Sequence, residues 1–203
     1  MTEDTRLEDA AGAAGVRFAE RARRDGLVDV AYASVDSPIG PLLLAATARG
    51  VVRLAYPDER TDAVLEHLAA GVSPRVLEAP GALDEARREL DEYFDGRRRR
   101  FDVGIDLALV QGFTRRVLRA TSRIPFGAVS TYRDVAGRAG SPRASRAAGN
   151  ALGANPIPIV VPCHRVVHSG GGLGGYTGGL ERKRFLLALE GALRRPGAGG
   201  GSA

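Results

Sequence analysis

Prolines at 156, 158 and 162 lead into Cys163, the only cysteine in a chain of 203 residues. Each proline withholds a backbone N–H and stiffens the chain, so the approach to this thiol is a rigid segment with few donors to give. Ile159, Val160 and Val161 are apolar on both sides of the backbone, which places Cys163 at the edge of a core. One cysteine cannot form an internal disulfide, and it excludes a multi-cysteine zinc cluster.

Burial alone raises a thiol pKa and makes it inert, so a working thiol needs a base or a positive field beside it. His164 and Arg165 follow at once. Adjacent side chains diverge in regular structure, so His164 would reach Cys163 through a turn or a bridging water and act as a general base. An imidazole base needs an orienting group, and Glu190 is the better placed of the two acids downstream of the histidine. A lone Cys-His pair is more often a buried structural cysteine beside a surface histidine, and the dipeptide does not decide between the two readings.

Residues 1–100 hold 15 Arg against 19 acids, whereas residues 101–203 hold 13 Arg and one Lys against 5 acids. A basic half on an otherwise acidic protein fits a polyanion partner. A genome that prefers Arg to Lys accounts for the arginines but not for the missing acids. The longest apolar runs are far too short to span a bilayer. The acidic start Met1-Thr2-Glu3-Asp4 lacks the order of a signal peptide, so the chain reads as cytoplasmic.

The pattern predicts an α+β chain in four parts: a helical extension over 1–26, an α/β domain over 27–104, a mostly helical domain over 105–191 and a tail over 192–203. Leu7, Ala10, Ala11, Ala14 and Phe18 recur at helical spacing in the extension. Alternation from Val28, the turn Ser37-Pro38-Ile39-Gly40 and the runs Leu42–Ala46 and Val51–Tyr56 predict an antiparallel meander. Helices follow, one capped by Thr61 and one over about 82–95. Arg97 to Arg100 then lead into a strand near Phe101, read as a solvated edge strand. Beyond Gln111 come a helix through Val117, a short helix Tyr132 to Arg138 capped by Thr131, and a helix from Pro142 to about Leu152 with Ser141 as its cap. The last helix runs from about Leu180 to Leu193. The two middle helices make a helix-turn-helix candidate. Its second helix carries Ala144, Ala147, Gly149 and few side chains that reach a base edge, with Arg146 as the long exception. Such a helix either lies close against nucleic acid or is buried among its neighbours, and pattern leaves both open.

The segment Asn155-Pro-Ile-Pro-Ile-Val-Val-Pro-Cys-His-Arg-Val, with Gly174-Gly-Tyr-Thr-Gly-Gly-Leu180 and Phe126-Gly-Ala-Val-Ser-Thr-Tyr132, strongly resembles the methylated-DNA–protein-cysteine methyltransferases, or O6-alkylguanine-DNA alkyltransferases. The resemblance spans about residues 28–191, and its Pro-Cys-His-Arg-Val core with Asn155 eight residues before the cysteine is highly specific. It implies a ribonuclease-H-like N-terminal domain with an antiparallel sheet, and a helical C-terminal domain with the helix-turn-helix. It implies single-use, irreversible transfer of an alkyl group from O6-alkylguanine, and from O4-alkylthymine, in double-stranded DNA to Cys163.

On that resemblance His164 acts through water on Cys163, Glu190 holds His164, and Asn155 ties the helix pair to the active segment. Arg146 fills the gap left by an extruded nucleotide. Tyr132 contacts the base and its phosphate, while Ala144, Ala147, Gly149 and Asn150 face the DNA. The backbone around Val166, with Tyr176 and Thr177, lines the base pocket. No cofactor, metal, membrane or obligate protein partner is implied, and the protein is read as a monomer. Some relatives bind zinc in the N-terminal half, but here that half has no Cys and only His67. Val117-Leu118 stands where a Val-Trp pair is usual, and Thr177 where Ser is common. Competing readings are a non-catalytic alkyl-base binder, whose kind typically carries Trp in place of the acceptor cysteine, and a sequence-specific regulator, which the smooth second helix argues against. A cysteine hydrolase has only the Cys-His pair in its favour.

Overall fold

The computed structural model describes residues 14–15, 17–19, 21–22 and 24–193. The chain falls into two compact units. The first ends at Asp91 and takes in Asp102–Leu109; the second holds Glu92–Phe101 and the chain from Val110.

In the first unit β1 (Val30–Val35), β2 (Leu42–Thr47) and β3 (Gly50–Ala55) form the antiparallel meander. The β1–β2 turn closes through Gly40 N–H to the Ser37 carbonyl at 3.1 Å. Gly40 has φ +97°, and a Cβ there would lie 2.7 Å from the Pro57 ring, so only glycine fits. A fourth strand, β4 (Val76–Glu78), follows helix α1 (Thr61–Gly71) and pairs parallel to β1, giving the order β3-β2-β1-β4. Three residues are too few to show alternation, so this strand was not foreseen. Thr61 begins α1 and does not cap it; Arg60 takes the cap position without a side-chain bond.

Both faces of β1 are covered. Val30 packs with Val52, Val64 and Leu68, and Ala31, on the opposite face, meets Ala19 and Ala79. The sequence pattern put Phe18 on the buried stripe of the N-terminal helix, but Phe18 is 65% exposed and Ala19 and Ala22 are buried instead. Small residues at 31 and 79 let that helix come close only through alanine. Leu7, Ala10 and Ala11 lie outside the described residues, as does the tail from 194.

The strand expected near Phe101 does not form. The N–H groups of Asp102 and Val103 go to the Glu89 carboxylate at 2.8 and 3.2 Å, which satisfies them away from any ladder. Only an isolated bridge joins Ile105 to Val51.

Helix α2 (Asp84–Phe94), entered through a 3₁₀ turn at Pro80–Leu83, ends within the second unit. There α3 (Gly112–Thr121), α4 (Tyr132–Arg138) and α5 (Ser145–Gly153) pack on one another. Val117 and Leu118 are both fully buried, so leucine fills the core at that place. Thr131 and Asp134 form a complete capping box on α4. Helix α5 starts later than the Ser141-Pro142 pair suggests. Ala144 N–H bonds to the Ser141 carbonyl at 2.9 Å, so residues 141–144 are a turn with Pro142 at its second place. Two short strands, β5 (Ser130–Thr131) and β6 (Val166–Val167), pair in parallel, and α6 (Leu180–Leu189) closes the unit. Among the described residues no helix is long and apolar enough to cross a membrane.

Candidate active site

The proline segment reaches Cys163 through tight local bonds. Val161 N–H donates to the Ile157 carbonyl at 2.8 Å and Cys163 N–H to the Val161 carbonyl at 2.8 Å. Ile159, fully buried, holds φ +72°, a left-handed conformation that β-branched residues rarely adopt. The kink turns Cys163–Arg165 into a 3₁₀ turn, and the three side chains then take different courses.

Cys163 lies in the wall of a cavity of about 540 Å³. Asn155 Nδ2 donates to the Cys163 sulfur at 3.1 Å and to the Val161 carbonyl at 2.9 Å. Its Oδ1 accepts from Ile157 N–H at 3.1 Å, so the amide is oriented by its own loop. Burial pushes the thiol pKa up; the Asn155 donor, the Lys183 charge and the Tyr176 hydroxyl work against it.

His164 is fully buried, and its Nε2 lies 2.8 Å from Glu190 Oε1. Its Nδ1 is buried and has no hydrogen-bond partner among the described residues. Burial pulls the imidazole pKa down, opposed by Glu190. Arg165 clamps the same carboxylate, Nε to Oε2 at 2.8 Å and Nη2 to Oε1 at 2.9 Å, and donates to the Ile124 carbonyl at 2.6 Å. Tyr93 Oη donates to Glu190 Oε1 at 2.7 Å. Burial alone would raise the Glu190 pKa, but the bonds and charges of His164 and Arg165 more than reverse it and hold it at about 2. Glu190 therefore remains a carboxylate and cannot take the proton of His164.

Tyr132, Arg146, Gly149 and Asn150 line the cavity from α4 and α5, and Tyr176 and Thr177 line it from the loop before α6. Thr177 Oγ1 donates to the Gly153 carbonyl at 2.9 Å, tying that loop to α5. Ala144 and Ala147 are not in the cavity wall: Ala144 caps α5, and Ala147 is exposed on it. Val166 is fully buried in β6 and is not in the cavity wall; its N–H donates to the Cys163 carbonyl and its carbonyl accepts from Lys183.

Besides Tyr93, two residues went unread in the sequence. Lys183, the one lysine beside 28 arginines, is fully buried. Its Nζ donates to Val166 O at 2.7 Å, to Leu173 O and to Gly175 O at 3.4 Å. Burial lowers its pKa to about 8, with the Cys163 charge opposing. Its singularity was the available signal. His168 lines the cavity with its ring 5.2 Å from that of Tyr132; nothing in the spacing marked it.

Such a site holds a soft sulfur nucleophile, a histidine held by a buried carboxylate, and room for a planar group beside the sulfur. A family described as 6-O-methylguanine DNA methyltransferase matches the chain twice. Its ribonuclease-like domain covers residues 30–107 and its DNA binding domain residues 112–192. The methylated-DNA–protein-cysteine methyltransferase of Mycobacterium tuberculosis (strain ATCC 25618 / H37Rv) is 41% identical over 159 residues, 78% of this chain and 91% of the relative. That of Methanosarcina acetivorans is 39% identical, covering 79% and 98%. The crystal structure of Mycobacterium tuberculosis OGT in complex with DNA superposes with TM-score 0.68 at 40% identity, over 80% of this chain and 93% of that one. The O6-methylguanine-DNA methyltransferase of Pyrococcus kodakaraensis KOD1 gives 0.55 at 27%, over 80% and 99%.

Proposed function

The chain belongs to the methylated-DNA–protein-cysteine methyltransferase family and repairs DNA by moving an alkyl group onto a cysteine, and from that premise we propose that Cys163 is the acceptor, served by His164, Glu190 and Asn155. The carrying observation is an amide donor on the Cys163 sulfur together with, next in the chain, a histidine held by a buried carboxylate.

The reaction follows from the groups present. His164 Nδ1 has no partner among the described residues, and adjacent side chains diverge, so a bridging water carries the thiol proton to it. The imidazolium is offset by Glu190, which keeps its charge. The Cys163 thiolate attacks the alkyl carbon; the S–C bond forms as the C–O6 bond breaks. The electron pair leaves on the guanine, which takes a proton to become the normal base. The Tyr132 hydroxyl, in the cavity wall, donates to the departing base. Lys183 adds positive field at the sulfur. A thioether has no easy hydrolysis, so each molecule acts once.

The alkyl carbon is out of reach in a stacked duplex, so the nucleotide is extruded, at a cost of a few kcal/mol. Arg146, exposed and in the cavity wall, enters the space left behind. Ala144, Ala147, Gly149 and Asn150 let α5 approach the duplex closely. Residues 105–191 carry these contacts, the protein acts as a monomer, and O4-alkylthymine is a second substrate. The cytoplasm, where thiols stay reduced, suits this chemistry.

The test is intact mass after mixing with duplex DNA containing O6-methylguanine. Wild type gains one methyl, on the peptide that holds Cys163, and stops at one equivalent; Cys163→Ser gains none. Lesion binding by wild type without mass gain would replace this reading with a non-catalytic binder.

A further inference from the structure

Glu190 Oε1 receives three donors: His164 Nε2 at 2.8 Å, Arg165 Nη2 at 2.9 Å and Tyr93 Oη at 2.7 Å. Oε2 receives Arg165 Nε at 2.8 Å and Gly127 N–H at 3.4 Å. Arg165 and Gly127 account for the carboxylate's charge and orientation. Tyr93 comes from elsewhere in the chain, on the last turn of α2, in a ten-residue stretch (Glu92–Phe101) that folds with the second unit. It is fully buried, with rings of Phe94, Phe101 and Phe126 within 6.1 Å of its own. Arg165 and Arg99 lie over Phe126 at 6.0 and 5.8 Å. An aromatic cage thus aims one hydroxyl at the oxygen that His164 uses.

We propose that Tyr93 is a positioning residue of the alkyl-transfer site, sharing Glu190 Oε1 with His164 and thereby setting how strongly the imidazole holds a proton. The inference rests on the relay assigned to His164 and Glu190. A hydrogen bond donated to a carboxylate oxygen draws off charge that would otherwise attract His164. The other charges around the imidazole act in known directions. Glu190 favours its protonated form, while Arg165 and Lys183 oppose it; Cys163 is its chain neighbour. Tyr93 acts with Arg165, keeping the base unprotonated and ready to receive the thiol proton. Remove the hydroxyl and Oε1 pulls harder, so His164 protonates at higher pH.

The experiment is the pH profile of single-turnover methyl transfer in Tyr93→Phe, with the His164 ring titrated by NMR in parallel. Both the acid limb of the rate and the ring midpoint are expected to move up by about half to one pH unit. Phe101→Leu disturbs the same cage but has no polar atom for Glu190; it lowers thermal stability and leaves the limb in place. In a Glu190→Gln background Tyr93→Phe loses its effect on the limb. A Tyr93→Phe protein that is slower at every pH with an unmoved limb and ring midpoint has lost only packing, and the proposal is overturned. An unchanged rate and midpoint overturn it equally. If Glu190→Gln alone leaves transfer and its pH profile unchanged, the relay itself fails; the NMR midpoint in Tyr93→Phe still reads the hydroxyl.

Discussion

Asn155 precedes Cys163 by eight residues and sits with its Nδ2 3.1 Å from the sulfur, on an amide fixed by Val161 and Ile157. A donor aimed at sulfur favours thiolate over thiol, against the burial that favours thiol. Asn155→Ala is expected to raise the thiol midpoint and slow transfer at neutral pH about ten-fold or more, the worth of one bond to a charged group. Asn155→Asp keeps the Ile157 bond and replaces the donor with a like charge, so it should raise the midpoint further. The pH profile of Cys163 alkylation by a small electrophile measures both, and two unmoved midpoints would remove Asn155 from the chemistry.

Gly174 has φ +70°, and a Cβ there would lie 2.5 Å from Tyr132 Oη. The rigid ring has to swing away from the loop. Gly174→Ala is expected to cost about 1–2 kcal/mol of stability from backbone strain and a disproportionate share of activity, as Tyr132 leaves its place in the cavity wall. Denaturation midpoints set beside transfer rates show the split. Parallel losses explained by unfolding would refute it.

Arg146→Ala is expected to weaken repair in duplex DNA about ten-fold or more, the worth of a charge-assisted contact. Transfer from a free O6-alkylguanine base, which needs no extrusion, should hardly change. Equal loss on both substrates would remove Arg146 from nucleotide extrusion.

Lys183 titrates at about 8 in the fold against 10.5 for a free lysine. Between those values the unfolded chain binds the extra proton, so stability rises as pH climbs from about 8 toward 10.5. Urea titrations across that range should show the rise in wild type and its absence in Lys183→Met. The same variant, with the ammonium donor and its positive charge gone from beside the sulfur, should transfer more slowly at neutral pH. A matching rise in both proteins would place the titration on another group.

Ile159 combines a left-handed backbone with complete burial. The conformation costs about 1–2 kcal/mol, while a buried isoleucine contributes about 2–5 kcal/mol against a small residue. Ile159→Gly should therefore destabilise on balance, by roughly 2 kcal/mol, despite relieving the backbone. A more stable Ile159→Gly protein would show that burial there is worth less than the strain.

What could be read in advance was local. The Ser37–Gly40 turn and the Thr131 capping box each depend on residues within four positions of one another, and both stand in the structure. The thiol and its neighbour histidine are adjacent, Glu190 was the better placed of the two acids downstream, and the family resemblance added Asn155, eight residues before the cysteine; the fold brings all four together. What escaped was settled by distant partners. β4 has too few residues to signal itself and exists because β1 offers an edge. Phe18 obeyed the helical period but lost its place to Ala19, because the facing surface is made of alanines. Asp102 and Val103 had a strand's neighbours and a carboxylate's bonds. Nothing local marks the place of Lys183; it is set by carbonyls of the Val166 strand and of the Leu173–Gly175 loop that converge on its ammonium.

Tyr93 and Glu190 are 97 positions apart. A ribosome delivers the hydroxyl 97 residues ahead of the carboxylate. Until the last helix has left the exit tunnel, His164 has no anion to hold it and Arg165 no clamp to close. A nascent chain thus carries Cys163 and His164 side by side before it carries the carboxylate that holds the ring, and the clamp on that carboxylate closes only with the fold.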